Sequence, residues 1–268
     1  MASKTFLTVK RGENFATHVS IIQNSDIKWQ SSVATANEKD FGSATALAII
    51  SVEEIIKALV VSLDGRGFRF REVPGIDTLF RNHSIRYFLA YVMFIVWIFG
   101  EDFKVLFSKF VNKPEVFIDF SSRLFNNDPE IQKQIEAYSL QKLEQIKSEY
   151  AWFSKLDVFR QDGFYCDYDE YFKSPIQITA EEYQKLSERM HAVRSVVKEL
   201  IVSVWSEEDV YFNHIEKMKK FMLERNIYTH IENGLKDVRV TRSKNPFEVV
   251  ATKFQKMDNN LDSKEKLK

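Results

Sequence analysis

SATALAIISVEEIIKALVVS, residues 43–62, is the stretch on which the fold turns. At about 100° per residue, Ala48, Val52, Ile55, Ile56 and Leu59 cover one face of a helix, while Leu47, Ile50 and Val61 fall among or beside Glu53, Glu54 and Lys57. A helix apolar on nearly every side belongs at the centre of a bundle. Its three charges are then costly to bury unless paired. Glu53 to Lys57 has the favourable i,i+4 order and Glu54 to Lys57 is i,i+3, so the expectation is a partly enclosed ion cluster.

The rest of the chain agrees with a helical class. At 268 residues, 44% hydrophobic and 28% charged, it can bury a real core as one large domain or as a domain with an extension. Eight Gly and five Pro leave few breakers for many strands, and long 3.6-period segments dominate, so the fold class is all-α. The 38 basic and 38 acidic residues balance, which excludes a globally basic nucleic-acid footprint. One local basic segment exists: residues 217–244 hold eight Lys or Arg against three acids. The single cysteine, Cys166, excludes an internal disulfide and a multi-cysteine metal site, and suits a reducing compartment. MASKTFLTVKRGEN at the start lacks the apolar run of a signal peptide, so a cytoplasmic location is expected.

Working outward, a first helix is expected from Asn14, as its cap, to about residue 37, with Phe15, Val19, Ile22, Trp29, Val33 and Ala36 on its stripe. Asp26 shares that stripe, either as a boundary residue reaching solvent or as the partner of a cation on a neighbouring helix. The short turn at 38–40 makes the first two helices antiparallel neighbours. Residues 63–76, LDGRGFRFREVPGI, read as a loop with Arg66, Arg69 and Arg71 exposed; no phosphate-binding glycine pattern is present. Asp77 is expected to cap a third helix over 77–99, with His83 on its packed face and Arg86 beside it. Within it, YFLAYVMFIVWIF at 87–99 is 13 apolar or aromatic residues, shorter than the roughly 20 that span a bilayer, and is read as a core helix with no membrane role. Residues 101–127 are irregular. Asp128-Pro129 opens a helix to about 156, residues 158–178 form a polar-aromatic loop, and Thr179 with Glu182 makes a capping box for a helix to about 205. Ser206 and Asp209 nearly repeat that box for a last helix to about 225, before a polar tail.

Three ordered patterns carry a family resemblance: ATALAIISVEEIIKAL, then LFRNHSIR, then FRQDGFYCDYDEYFKSPIQIT leading into a helix. Together they resemble the AbiV-type abortive-infection proteins of bacterial phage defence, members of the HEPN superfamily. The resemblance covers residues 15–201 and points to Glu53, Glu54 and Lys57, to His83, and to Arg160, Gly163, Tyr165 and Asp167 with Ser174-Pro175. Arg86 stands where the family pattern usually has Lys, and Phe164 and Cys166 replace its Leu and Val. What the resemblance implies is a HEPN-like antiparallel helical bundle over residues 1–205, a C-terminal helical extension over 206–268, and a defence role. Many relatives cleave RNA without a metal and dimerise across their site, so RNA, a phage protein activator and a second copy are the implied partners, with no cofactor.

Many HEPN ribonucleases pair an Arg with a His from which four to six residues separate it, a polar residue following the Arg. There the His moves the proton of a 2′-hydroxyl while the Arg stabilises phosphate charge. Arg225-Asn226 with His230 fits that spacing inside the basic segment, as a catalytic pair or as a solvated helix end; Arg11 and His18 fit it less well. The matched core offers a rival set. Candidate catalytic residues are accordingly His83, Arg86, Glu54 and Lys57, or Arg225 and His230, with Glu53, Asn226, Arg160 and Tyr165 as candidate substrate contacts. The core set reads equally as a polar network locking two helices. No metal site is expected, since His83 has no second His or Cys at ligand spacing. The alternative function is a non-enzymatic interaction protein that binds a phage or translation factor through its helical surface.

Overall fold

The computed structural model describes residues 6, 8, 13–112, 129–168, 172–206, 212–224, 229 and 247. Its helices are α1 (Asn14–Asn37), α2 (Phe41–Leu63), α3 (Thr78–Arg81), α4 (His83–Asn112), α5 (Pro129–Phe153), α6 (Leu156–Phe164), α7 (Ala180–Trp205) and α8 (Phe212–Glu224). The fold is all-α apart from a minimal antiparallel ribbon, Asp167–Tyr168 against Phe172–Lys173.

Helix α2 is the axis of the bundle. Asp40 caps it by accepting from the Ser43 N–H at 3.0 Å, and no residue of Phe41–Leu63 is exposed. It therefore lies where a helix apolar all round must lie. Ser25 meets Ser51 while Ser32 meets the Ala44 carbonyl, so advancing along α1 means retreating along α2; the pair is antiparallel. The turn between them uses Lys39 at φ 65°, with its N–H on the Ala36 carbonyl at 2.9 Å.

The other neighbours of α2 arrive from three sides. Val193 and Val197 of α7 and Tyr87, Ala90, Tyr91 and Phe94 of α4 share one core with Ile49, Val52, Ile55 and Ile56. Helix α6 comes closer still. A Cβ on Gly163 would sit 2.5 Å from the Gly42 carbonyl oxygen and 3.1 Å from the Ala46 Cβ, so only glycine permits this approach.

Several local expectations change. Asn14 lies inside α1, whose cap position is Glu13, without a side-chain cap bond. The helix expected over 77–99 is broken: Asp77 makes no side-chain cap bond, α3 stops after one turn, and the chain is extended at Asn82, which then receives the Ile85 N–H at 3.3 Å as α4 begins. Helix α4 runs on to Asn112, through part of the stretch expected to be irregular. Residues 158–164, expected as the start of a loop, belong to the helix Leu156–Phe164, because α6 can bury Leu156 and Gly163 against α2. Of the three arginines expected to be exposed after α2, only Arg69 is: Arg71 closes on the buried carboxylate of Asp64 with Nε at 2.6 Å, and Arg66 lies over the Trp205 ring. The capping box of Thr179 and Glu182 forms as expected; Asp209 lies outside the described residues.

His83–Asp102 is one stretch long and apolar enough to cross a membrane by length and composition. One face of it, with Tyr87, Ala90, Tyr91, Phe94 and Ile98, is buried in the core, while Val96 and Phe99 are exposed.

Candidate functional site

The polar centre of the bundle is Glu53, whose side chain is 4% exposed. A carboxylate in such a position needs polar partners on every side; three side chains of α4 contact it directly and a fourth, from α6, stands just behind them. His83, at the start of α4, places Nδ1 at 2.8 and 2.9 Å from Oε1 and Oε2. One turn on, Arg86 donates to Oε2 from Nη2 at 2.8 Å and from Nε at 3.2 Å, and its Nη1 holds the Leu79 carbonyl of α3 at 2.8 Å. Tyr87 donates its hydroxyl to Oε1 at 2.6 Å. Arg160 of α6 donates from Nε to the Tyr87 oxygen at 3.1 Å, stands 3.9 Å from Glu53 Oε1, and gives Nη2 to Asp157 at 2.9 Å.

The break at Asn82 is what makes this possible. Restarting the helix at His83 aims His83, Arg86 and Tyr87, spaced i, i+3 and i+4, at one point on α2.

Electrostatics follow from the geometry. Burial alone would push the Glu53 carboxyl up; the Arg86 guanidinium, with the hydrogen bonds from Tyr87 and His83, outweighs it and holds Glu53 below the ordinary glutamate range. Burial, and then the Glu53 charge, push the Tyr87 phenol far above its usual value, so it stays a donor. Burial works against the Arg160 charge, but Asp157 and Tyr87 raise it overall and keep it cationic. Nδ1 of His83 faces both the carboxylate and, at 2.8 Å, Arg86 Nη2. Guanidinium nitrogens carry hydrogens permanently and the carboxylate is the stronger acceptor, so a hydrogen bond between His83 and Glu53 is one that Nδ1 donates.

Access is uneven. Arg86 is 3% exposed, but the His83 side chain is 42% exposed. The set is sealed at Glu53 and Arg86 and open at His83.

The other expected site residues separate from this cluster. Adjacent positions on a helix diverge by about 100°, and Glu54 accordingly points elsewhere, taking the Lys57 Nζ at 2.6 Å. Among the described residues, no hydrogen bond or ion pair joins Glu54 or Lys57 to His83 or Arg86. Tyr165 is exposed, its ring against Phe164. Arg225, Asn226 and His230 lie outside the described residues, as does Arg11. His18 is buried and stacked on Trp205 at 5.3 Å. The sequence reading missed Tyr87 and Asp157. Their signals were local: Tyr87 stands four residues after His83, and Asp157 three before Arg160. Among the described residues, no group of three or more His, Cys, Asp or Glu is placed to hold a metal.

A helical bundle organised around an EE-bearing central helix, with a His and an Arg from the next long helix on its buried carboxylate, is a protein of the HEPN class. More particularly, the family model described as AbiV matches residues 15–195, and the chain belongs to that family, one of abortive-infection, HEPN-type defence. All the residues of the Glu53 cluster fall inside the match; Arg225 and His230 fall beyond it. No curated protein and no solved structure matches the chain.

Proposed function

We propose that this protein acts in antiphage defence as a metal-independent endoribonuclease, with His83 as its proton-transfer residue. One observation carries the reading: Nδ1 of His83 is held by a buried carboxylate at 2.8 Å while the ring remains 42% exposed. A carboxylate that orients an imidazole and sets its tautomer leaves Nε2 facing outward as a base. In the proposed step, Nε2 takes the proton of a ribose 2′-hydroxyl, the 2′-oxygen attacks phosphorus, and the bond from phosphorus to the 5′-oxygen breaks. The departing 5′-oxygen takes up a proton from the imidazolium or from water, so the products are a 2′,3′-cyclic phosphate and a 5′-hydroxyl. Arg160, cationic and only partly buried, is the residue suited to the non-bridging oxygens. Arg86, with its donors spent on Glu53 and Leu79, is a positioning residue. This reading brings with it RNA as substrate, a cytoplasmic homodimer, and activation by a phage protein.

A second reading is favoured by the burial of Arg86. A network sealed at Glu53 also suits a bundle that works by binding a phage or translation factor without chemistry. Purified protein, with and without phage-infected cell extract, should be incubated with total RNA and transfer RNA. Cleavage with cyclic-phosphate ends is expected, with His83→Ala lowering the rate by about 100-fold or more and Arg160→Ala by a smaller factor. Absence of cleavage in both conditions, or cleavage that survives His83→Ala and stops with His230→Ala, overturns the assignment to this site.

A further inference from the structure

The groove between α4 and α5 is filled by a side chain from far along the sequence. Phe247 lies well beyond the end of α7 at Trp205 and beyond the family match, which stops at residue 195, yet it is only 3% exposed. Three rings receive it. Its centroid stands 5.1 Å from that of Tyr150 on α5 at an interplanar angle of 61°, and on α4 it stands 5.7 Å from Phe88 at 82° and 6.4 Å from Tyr91 at 55°. Phe88 and Tyr91 share a face of α4 as an i,i+3 pair. The walls of this socket are fixed to one another: the Tyr91 hydroxyl donates to the Ile146 carbonyl of α5 at 3.3 Å, and the Tyr91 and Tyr150 rings meet edge to face at 5.6 Å.

That construction makes Phe247 a ligand seated on a finished bundle. Phe153 and Leu156, both fully buried at the turn from α5 into α6, pin α5 to the core without it, and the contacts between Tyr91 and α5 hold the socket walls in place. Taking Phe247 away therefore leaves a ring-sized opening. An aromatic occupant suits the opening best, because the contacts with Tyr150 and Phe88 are edge to face, and such pairs add to plain area burial what an aliphatic side chain of similar volume lacks. Membership of the same chain gives Phe247 an effective concentration on the order of a millimolar, enough to exclude a free competitor of moderate affinity. The position matters as well: Tyr91, one wall of the socket, follows Tyr87 by one turn of α4, so the groove lies beside the helix that carries His83.

We infer that the α4–α5 groove is a peptide-binding site for a segment bearing an aromatic side chain, and that its resident ligand is the chain's own C-terminal extension, anchored by Phe247. Occupation of the groove is independent of whether the Glu53 cluster cleaves RNA. Fluorescence anisotropy of a labelled peptide of residues 243–254, SKNPFEVVATKF, titrated with the full chain tests it. The Phe247→Ala protein is expected to bind the peptide saturably, and the wild type, whose groove is filled, about tenfold or more weakly. In the peptide, Phe247→Ala is expected to lower affinity about tenfold or more although Phe254 remains, and Phe247→Leu about threefold. A second measurement needs no substitution at Phe247: a wild-type chain with a specific protease site inserted between residues 230 and 240 is cleaved after folding, and the lost tether is expected to tighten peptide binding about tenfold. Overturning results are no saturable binding to the Phe247→Ala protein at about 1 mM peptide, equal affinity of that protein and the wild type, a Phe247→Ala or Phe247→Leu peptide that binds as tightly as the original, or cleavage that leaves the affinity unchanged.

Discussion

Helix α2 is held from two sides by networks of opposite sign. On the α4 and α6 side the buried ion is an anion, Glu53, surrounded by Arg86, His83 and Tyr87. On the α1 and α7 side it is a cation, Arg194, surrounded by the Ser25 carbonyl and the hydroxyls of Ser25 and Ser51. The counter-ions differ in place. Arg86 neutralises Glu53 in the interior, whereas Asp26 neutralises Arg194 at the edge, where the aspartate side chain is 35% exposed. Neutral oxygens solvate a guanidinium well enough that its counter-ion can stand in water; a carboxylate in a helical core finds no equivalent set of free backbone N–H groups and has to bring its cation inside. The two sides of one helix thus serve different ends: the cationic side is a clamp with a wet rim, the anionic side a sealed pair with one exposed member, His83.

That difference is broken most severely by removing each carboxylate. Glu53→Gln leaves Arg86 charged and buried, and is expected to cost about 3–5 kcal/mol of unfolding free energy. Asp26→Asn leaves Arg194 with its hydroxyl and carbonyl partners and is expected to cost under about 1 kcal/mol. Urea denaturation measures both, and equal costs would abolish the distinction. The acid limb sharpens it. Because the Glu53 carboxyl is held below the ordinary glutamate value of 4.5, the unfolded chain takes up that proton first on acidification. The stabilisation is fully present above that value and disappears as pH falls through the lower, folded one. The gap between wild type and Glu53→Gln is therefore expected to narrow below about pH 4.5. Asp26, also lowered, works in the same direction, but its exposure keeps the change small.

Much of the anionic side could be read from residue order, because EE on an over-apolar helix, a His among aromatics and the RQDGF segment are each anomalies in their own setting. Which glutamate turned inward could not. With apolar residues on every side of α2, periodicity does not distinguish Glu53 from Glu54; the choice depends on where α4 restarts, and no Gly or Pro marks the break at Asn82. Residues 158–178 read as a polar-aromatic loop, whereas Gly163 serves the close approach of α6 to α2, a property of the partner helix. The cationic side was nearly silent. Ser25 and Ser51 look like small helix residues, and Arg194 reaches Ser51 across 143 residues of sequence; only Asp26 stood out.

The next effect concerns the dependence of the anionic network on α6. Gly163→Ala places a methyl 2.5 Å from the Gly42 carbonyl oxygen, a backbone atom that cannot rotate aside, so α6 has to back away from α2. The expected cost is about 1–3 kcal/mol. Because Arg160 rides on α6 and Arg194 does not, the further cost of Glu53→Gln should shrink in the Gly163→Ala background, while that of Asp26→Asn is unchanged. A change in both would show that the two sides of α2 are not separable.

The last pair of effects comes from the hydroxyls. Tyr87→Phe removes the donor to Glu53 at 2.6 Å and the acceptor of Arg160 Nε at 3.1 Å, both bonds to charged partners. Ser51→Ala removes one of the hydroxyls around Arg194, which keeps the Ser25 carbonyl and hydroxyl. Hydrogen bonds to charged groups contribute about 1.5–3 kcal/mol, so Tyr87→Phe is expected near 2 kcal/mol. Ser51→Ala, with redundant partners left in place, is expected near 1 kcal/mol. Their acid limbs should differ as well. Tyr87 lowers the Glu53 carboxyl by donating to it, so Tyr87→Phe raises that carboxyl and moves the loss of stability to higher pH. Ser51→Ala touches no carboxylate and should leave the acid limb where it is. A Ser51→Ala variant that shifted the acid midpoint as far as Tyr87→Phe would mean that the charge on one side of α2 is felt on the other, and that the helix couples the two networks it separates in space.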